Sequence, residues 1–218
     1  MSNPVLVLVG AGPGVGMSVA REFGRQGYDV ALVARSQERL AALAEGLQGA
    51  GVAASWTACD ITDDEALRAA VRGFGERAGR IDVVHFNPSA FTPKDPLSLT
   101  PDELLDDVRL GVAPLLSAVQ AALPYLRAGS RVTATGSMAA DRPSHTAASL
   151  GVQKAGLRNL VRSIDATVRD LGVRAVSVTV NGTLKKGTAF DPDRVAEAIV
   201  AAARQPEEQW RSEVPYDG

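Results

Sequence analysis

The chain has 218 residues, 45% of them hydrophobic, which is enough for a sizeable core and points to one domain spanning residues 1–218. Its 23 Lys and Arg against 25 Asp and Glu leave a formal net charge of −2, so no global field draws nucleic acid or an acidic membrane surface, and neither partner is expected. Cys59 is the only cysteine, which excludes an internal disulfide. No metal-ligating cluster is visible, and the first apolar run is too short for a secretory or membrane segment, so a soluble cytoplasmic protein is expected.

The run Val5 to Val9 reads as a first strand and leads directly into Gly10-Ala11-Gly12-Pro13-Gly14-Val15-Gly16, after which an apolar-periodic helix begins. Glycines at such a corner permit a tight turn and close backbone approach, and free N–H groups at the helix start suit a pyrophosphate. Further strands are expected over Asp29 to Ala34, Val52 to Ala58, Ile81 to Phe86, Arg131 to Thr135 and Val173 to Val180. Helices are expected over Gln37 to Gln48, Asp63 to Arg77, Pro101 to Leu126, Thr146 to Leu171 and Pro192 to Arg204. Thr62-Asp63-Asp64-Glu65 and Thr100-Pro101-Asp102-Glu103 carry capping oxygens and early acids, and these acids serve folding. The segment Ser212 to Gly218 suits a seventh strand at a sheet edge, where Pro215 is tolerated. The alternation predicts an α/β fold of Rossmann type: a doubly wound parallel sheet of six to seven strands with helices on both faces.

Read from Gly10, the G-x-G-x-x-G fingerprint fails, because Val15 stands where the third glycine belongs; the spacing is G-x-x-x-G-x-G. With its strand and helix, this motif resembles that of the short-chain dehydrogenase/reductase family, and the resemblance extends over essentially the whole chain. It implies a nicotinamide cofactor gripped by Gly10, Gly12, Gly14, Val15 and Gly16. The second strand ends in Val33-Ala34-Arg35-Ser36, where the family distinguishes a ribose hydroxyl from a 2′-phosphate. Ala34 offers no carboxylate, whereas Arg35 can meet a phosphate bidentately and Ser36 can add a hydroxyl, so NADP(H) is favoured over NAD; the plain alternative is a solvated arginine opening a helix. Asp60 and Ile61 match the family's adenine-contacting pair, although Asp60 equally suits a turn. Asn87-Pro88-Ser89-Ala90 sits where the family has Asn-Asn-Ala-Gly; Pro88 removes a donor and puts the usual sheet-stabilising contacts there in doubt.

Ser137 and Lys154 fit the family's Ser…Tyr-x-x-x-Lys frame without a gap, which implies that Ser137 polarises the substrate and Lys154 grips the nicotinamide ribose, but Leu150 occupies the tyrosine position and an alkyl group donates no proton. Ser137 equally suits a loop cap, and Lys154 an ordinary helix lysine. Counting back from Ser137 brings the family's asparagine onto Arg109, which either clamps an anionic substrate or pairs with a nearby acid. His145, in the loop before the helix, is the alternative acid by chemistry, against its reading as a surface-loop histidine. Val180-Asn181-Gly182-Thr183 resembles the family's turn beside the nicotinamide, and the short segment after it leaves the pocket either open or covered by Leu184-Lys185-Lys186 and a neighbouring subunit. The resemblance also implies a homodimer or homotetramer built on the helices over 101–126 and 146–171. Two functions compete: an NADP(H)-dependent oxidoreductase reducing an imine, iminium or small carbonyl compound, and a non-redox NADP-binding protein such as a sensor, cyclase, dehydratase or isomerase.

Overall fold

A computed structural model describes residues 3–218. Seven strands form a single all-parallel sheet: β1 (Val5–Val9), β2 (Asp29–Ala34), β3 (Ala54–Ala58), β4 (Val83–Phe86), β5 (Arg131–Ser137), β6 (Arg174–Val180) and β7 (Glu213–Tyr216). Their spatial order is β3-β2-β1-β4-β5-β6-β7. The chain winds outward from β1 to β3, returns to place β4 beside β1, and then winds the other way. A cleft at the carboxyl ends of β1 and β4 follows from that reversal.

The period of two along each strand builds two cores. Val5, Val7 and Val9 face one side, against Leu67, Val71 and Phe74 of α3 (Asp64–Ala78), Leu115 and Ala118 of α5 (Ala113–Ala122) and Leu157 and Val161 of α6 (Ala148–Val168). Leu6 and Leu8 face the other, against Val19 and Phe23 of α1 (Val15–Arg25), Leu40 and Leu47 of α2 (Gln37–Gly49) and Val195 and Ile199 of α7 (Pro192–Ala203). Strands buried on both faces read as unbroken apolar runs for this reason.

Caps set the helix starts. Asp63 accepts the Ala66 N–H at 3.0 Å to open α3. Thr100 and Glu103 form a reciprocal capping box at the start of α4 (Pro101–Gly111). The expected single helix from Pro101 to Leu126 is in fact two, broken at Val112 (φ −134°, ψ −60°). Pro114 is the cause: it has no N–H to give, and its ring would strike the Leu110 carbonyl in a continuous helix. The edge strand is present as β7, with Pro215 in register with Thr179 of β6 and no strand on its outer side. Strands three and four each start two residues later than expected, at Ala54 and Val83, and β5 runs on to Ser137.

Candidate active site

The first strand, β1, ends at Val9, and the N–H groups of Gly10 and Ala11 donate to the Val33 carbonyl at 2.9 and 3.0 Å, which turns the chain sharply across β2. Gly10 has φ +83°, and a Cβ there would lie 2.7 Å from the Pro88 ring. At Gly16 a Cβ would stand 3.0 Å from Asn87 Nδ2, so the first turn of α1 lies tight against the end of β4. Gly12 and Gly14 face open space. Among the described residues, the N–H groups of Gly12, Gly14, Val15 and Gly16 make no hydrogen bond with the protein. Free donors at a helix start, beside open space, fit a diphosphate.

A two-part cleft flanks this turn. The outer part, about 570 Å³, is lined by Gly10, Ala11, Ala34, Arg35, Ser36, Arg39, Ile61, Pro88, Ser89 and Leu110. The inner part, about 290 Å³, is lined by Val15, Asn87, Ser89, Phe91, Thr135, Gly136, Ser137, Leu150, Lys154, Val180, Gly182 and Leu184. Ser89 lines both, so the two parts adjoin beside the glycine turn. Arg35 and Arg39, one helical turn apart, bring two guanidinium groups to the outer end, at the N-terminus of α2. The Ser36 hydroxyl caps that helix by accepting the Arg39 N–H at 3.3 Å. Asp60 accepts the N–H and hydroxyl of Thr62 at 2.9 and 2.8 Å, and these bonds hold its carboxyl below the usual range. It is thus a turn residue outside the cleft lining, while Ile61 lines the cleft.

Lys154 is buried in the inner part, with Nζ donating to the carbonyls of Pro88 and Thr135 at 3.2 Å each. Burial without a carboxylate partner lowers its pKa to about 8. Ser137 Oγ accepts the Ala139 N–H at 3.2 Å and faces the same cavity. Leu150 lines it one turn before Lys154, and the spacing of four puts both on one helix face. Pro88 does not undo the strand-end contacts. Asn87 Nδ2 donates to the Gly10 carbonyl at 3.2 Å and Asn87 Oδ1 accepts the Thr135 hydroxyl at 2.9 Å, linking β4 to both neighbours.

Arg109 and His145 do not join this group. Arg109 lies exposed on α4 and pairs with Asp106 at 2.6 Å, three residues earlier; the charge stays in water and the next residue, Leu110, turns into the outer cavity. His145 is exposed in the polar loop before α6 and lines neither part of the cleft. Thr183 is likewise exposed and outside the lining, whereas Gly182 is part of it.

Several residues that shape the site escaped the sequence reading. Gln153, fully buried, clamps Ala90 by accepting its N–H at 3.1 Å and donating to its carbonyl at 2.9 Å. Buried Asp107 accepts the hydroxyls of Thr92 at 3.1 Å and Ser149 at 2.5 Å. Together they pin the loop carrying Ser89 and Phe91 to α4 and α6. Arg39 had a signal in its spacing from Arg35; Gln153 and Asp107 had none, because their partners are distant in sequence.

Comparison with known proteins agrees with this geometry. The chain matches the short chain dehydrogenase family over residues 4–192. It is 25% identical over 221 residues to an uncharacterized oxidoreductase of Staphylococcus epidermidis, covering 94% of this chain and 93% of that one. Its fold matches a short chain dehydrogenase from Mycobacterium smegmatis with a TM-score of 0.90 and 25% identity, covering 100% of this chain and 92% of that one. A metagenomic short-chain oxidoreductase solved in complex with NADP matches with a TM-score of 0.87 and 28% identity, covering 98% and 96%. With the family's match spanning most of the chain and the glycine turn, cleft and buried lysine in place, this protein belongs to the short-chain dehydrogenase family.

Proposed function

We propose that the chain is an NADP(H)-dependent oxidoreductase that reduces a small, uncharged carbonyl compound or an imine or iminium ion. The observation that carries this reading is the pair of adjoining cavities beside the glycine turn, one lined by Arg35 and Arg39 and the other by Ser137 and Lys154. The NADP held by the metagenomic relative supports the choice of cofactor. When bound, the cofactor supplies a hydride to an electrophilic carbon. The chain's own residues do the rest. The glycine turn offers N–H groups to the diphosphate, Arg35 and Arg39 meet the 2′-phosphate, and Ser137 donates a hydrogen bond to a carbonyl oxygen or a neutral imine nitrogen. Val15, Leu150, Val180 and Leu184 give the inner cavity an apolar wall that excludes water from the reacting carbon.

Leu150 narrows the chemistry, because the group one turn before Lys154 donates no proton and an iminium carbon accepts hydride without one. The same leucine favours a second reading, in which NADP is held without hydride transfer. Two measurements decide. Arg35→Ala is expected to weaken NADPH binding, followed by fluorescence, by about 10- to 100-fold while leaving NADH within about twofold; equal losses would remove the phosphate role. Deuterium from 4-labelled NADPH is expected in the product, and its absence would favour the non-redox reading. Exposed Leu105, Leu116 and Val152 on α4, α5 and α6 support assembly through these helices, which sedimentation would report as a dimer or tetramer mass.

A further inference from the structure

We propose that Lys154 is itself the acid of the reaction, its ammonium group passing a proton to the acceptor oxygen as hydride reaches the adjoining carbon. This rests on the oxidoreductase reading above. The geometry narrows the choice of acid to one group. Among the described residues lining the inner cavity, only Lys154 has an ionisable side chain. Leu150 presents alkyl groups there, while Arg109 pairs with Asp106 outside it and His145 lies exposed in its loop. An ammonium has three N–H donors. Two are taken by the carbonyls of Pro88 and Thr135, which fix the nitrogen between the ends of β4 and β5, and the third has no protein partner among the described residues. Burial also makes this lysine more acidic than an exposed one while leaving it protonated at neutral pH.

The step balances without a further reactant. Hydride from NADPH forms the new C–H bond, and the π pair of the C=O moves onto oxygen. The Nζ–H bond breaks as the O–H bond forms, leaving an alcohol, oxidised cofactor and a neutral Lys154 amine. Water returns the proton to the amine after the alcohol leaves. In the opposite direction the neutral amine accepts the proton, so oxidation gains above the lysine pKa what reduction loses. An iminium acceptor needs no such proton, so its reduction does not fall as Lys154 loses its own.

The test compares an alkyl ketone with a cyclic N-methyl iminium ion, using 4-deuterated NADPH and the full chain. For the ketone, kcat/KM is expected to fall about tenfold per pH unit above about 8 and to show a solvent isotope effect; for the iminium, no fall above that pH and no solvent isotope effect are expected. Lys154→Arg keeps the charge but not a transferable proton. It is expected to cost ketone reduction about 10²-fold or more, at least about tenfold more than it costs iminium reduction. In the unloaded protein, a ¹³Cε-lysine resonance titrating near pH 8 is expected and should vanish in the variant. Equal losses for both acceptors would reduce Lys154 to a positioning residue and overturn the inference, as would a flat wild-type ketone profile, which decides the matter even if the variant does not fold. Deuterium transfer combined with either result leaves the oxidoreductase reading intact; no transfer to either acceptor overturns both.

Discussion

Gly10→Ala is expected to lower the stability of the protein by about 2–5 kcal/mol and to abolish measurable NADPH binding. Two costs add. At φ +83° an L-residue occupies the left-handed region, at roughly 1–2 kcal/mol. The new methyl would also stand 2.7 Å from Pro88 Cγ and 2.9 Å from Pro88 N, atoms of a rigid ring and backbone that cannot rotate aside. Relief must come from moving the end of β1 away from the end of β4, which breaks the Asn87 bond to the Gly10 carbonyl and opens the wall of the outer part, lined by Gly10 and Pro88. Gly12→Ala provides the contrast. Nothing lies within 4 Å of its added carbon, so urea denaturation should be unchanged, yet the methyl occupies the space offered to the diphosphate and should cost at least about tenfold in NADPH affinity. If Gly10→Ala folds and binds like the wild type, the turn is looser than the structure shows.

The glycine turn was readable in the sequence because its signal is local: a strand, a corner needing positive φ, and a helix start are contiguous. The Ser137 and Lys154 positions were readable through the family resemblance, whose frame puts them at a strand end and on the helix after it. Direction was harder. Neighbouring helix positions differ by about 100°, so whether Arg109 or Leu110 enters the cleft turns on a rotation that a spacing count cannot fix. The structure sends Leu110 inward and leaves Arg109 with Asp106. The break at Val112 did have a signal in Pro114, but apolar periodicity continuing through Leu115, Ala118 and Val119 outweighed it. His85 was invisible altogether, reading as one more residue of a strand. Its partners Thr133 and Thr135 appear only once β4 and β5 are paired, with His85 in register with Thr133.

That histidine makes the fold sensitive to acid. Its ring lies fully buried between β1 and β5, with Nδ1 2.8 Å from Thr133 Oγ1 and Nε2 3.3 Å from Thr135 Oγ1, and burial pushes its pKa from 6.5 down to about 3. Between those values the unfolded chain holds a proton that the native chain refuses, so stability falls as pH drops through 6.5 toward 3. Each unit is worth about 1.4 kcal/mol, which gives a loss of about 2.7 kcal/mol by pH 4.5. Urea denaturation at pH 7.5 and pH 4.5 should show the wild type losing about that much more than His85→Gln, whose side chain does not titrate; parallel losses would mean that the imidazole is protonated in the native state. The effect reaches the cleft through Thr135, whose hydroxyl also donates to Asn87, the residue that holds the Gly10 carbonyl. Cofactor binding should oppose it. NADPH at about 100 times its Kd adds about 2.7 kcal/mol to the native state, enough to move the acid midpoint of unfolding downward by about two pH units where His85 dominates the slope.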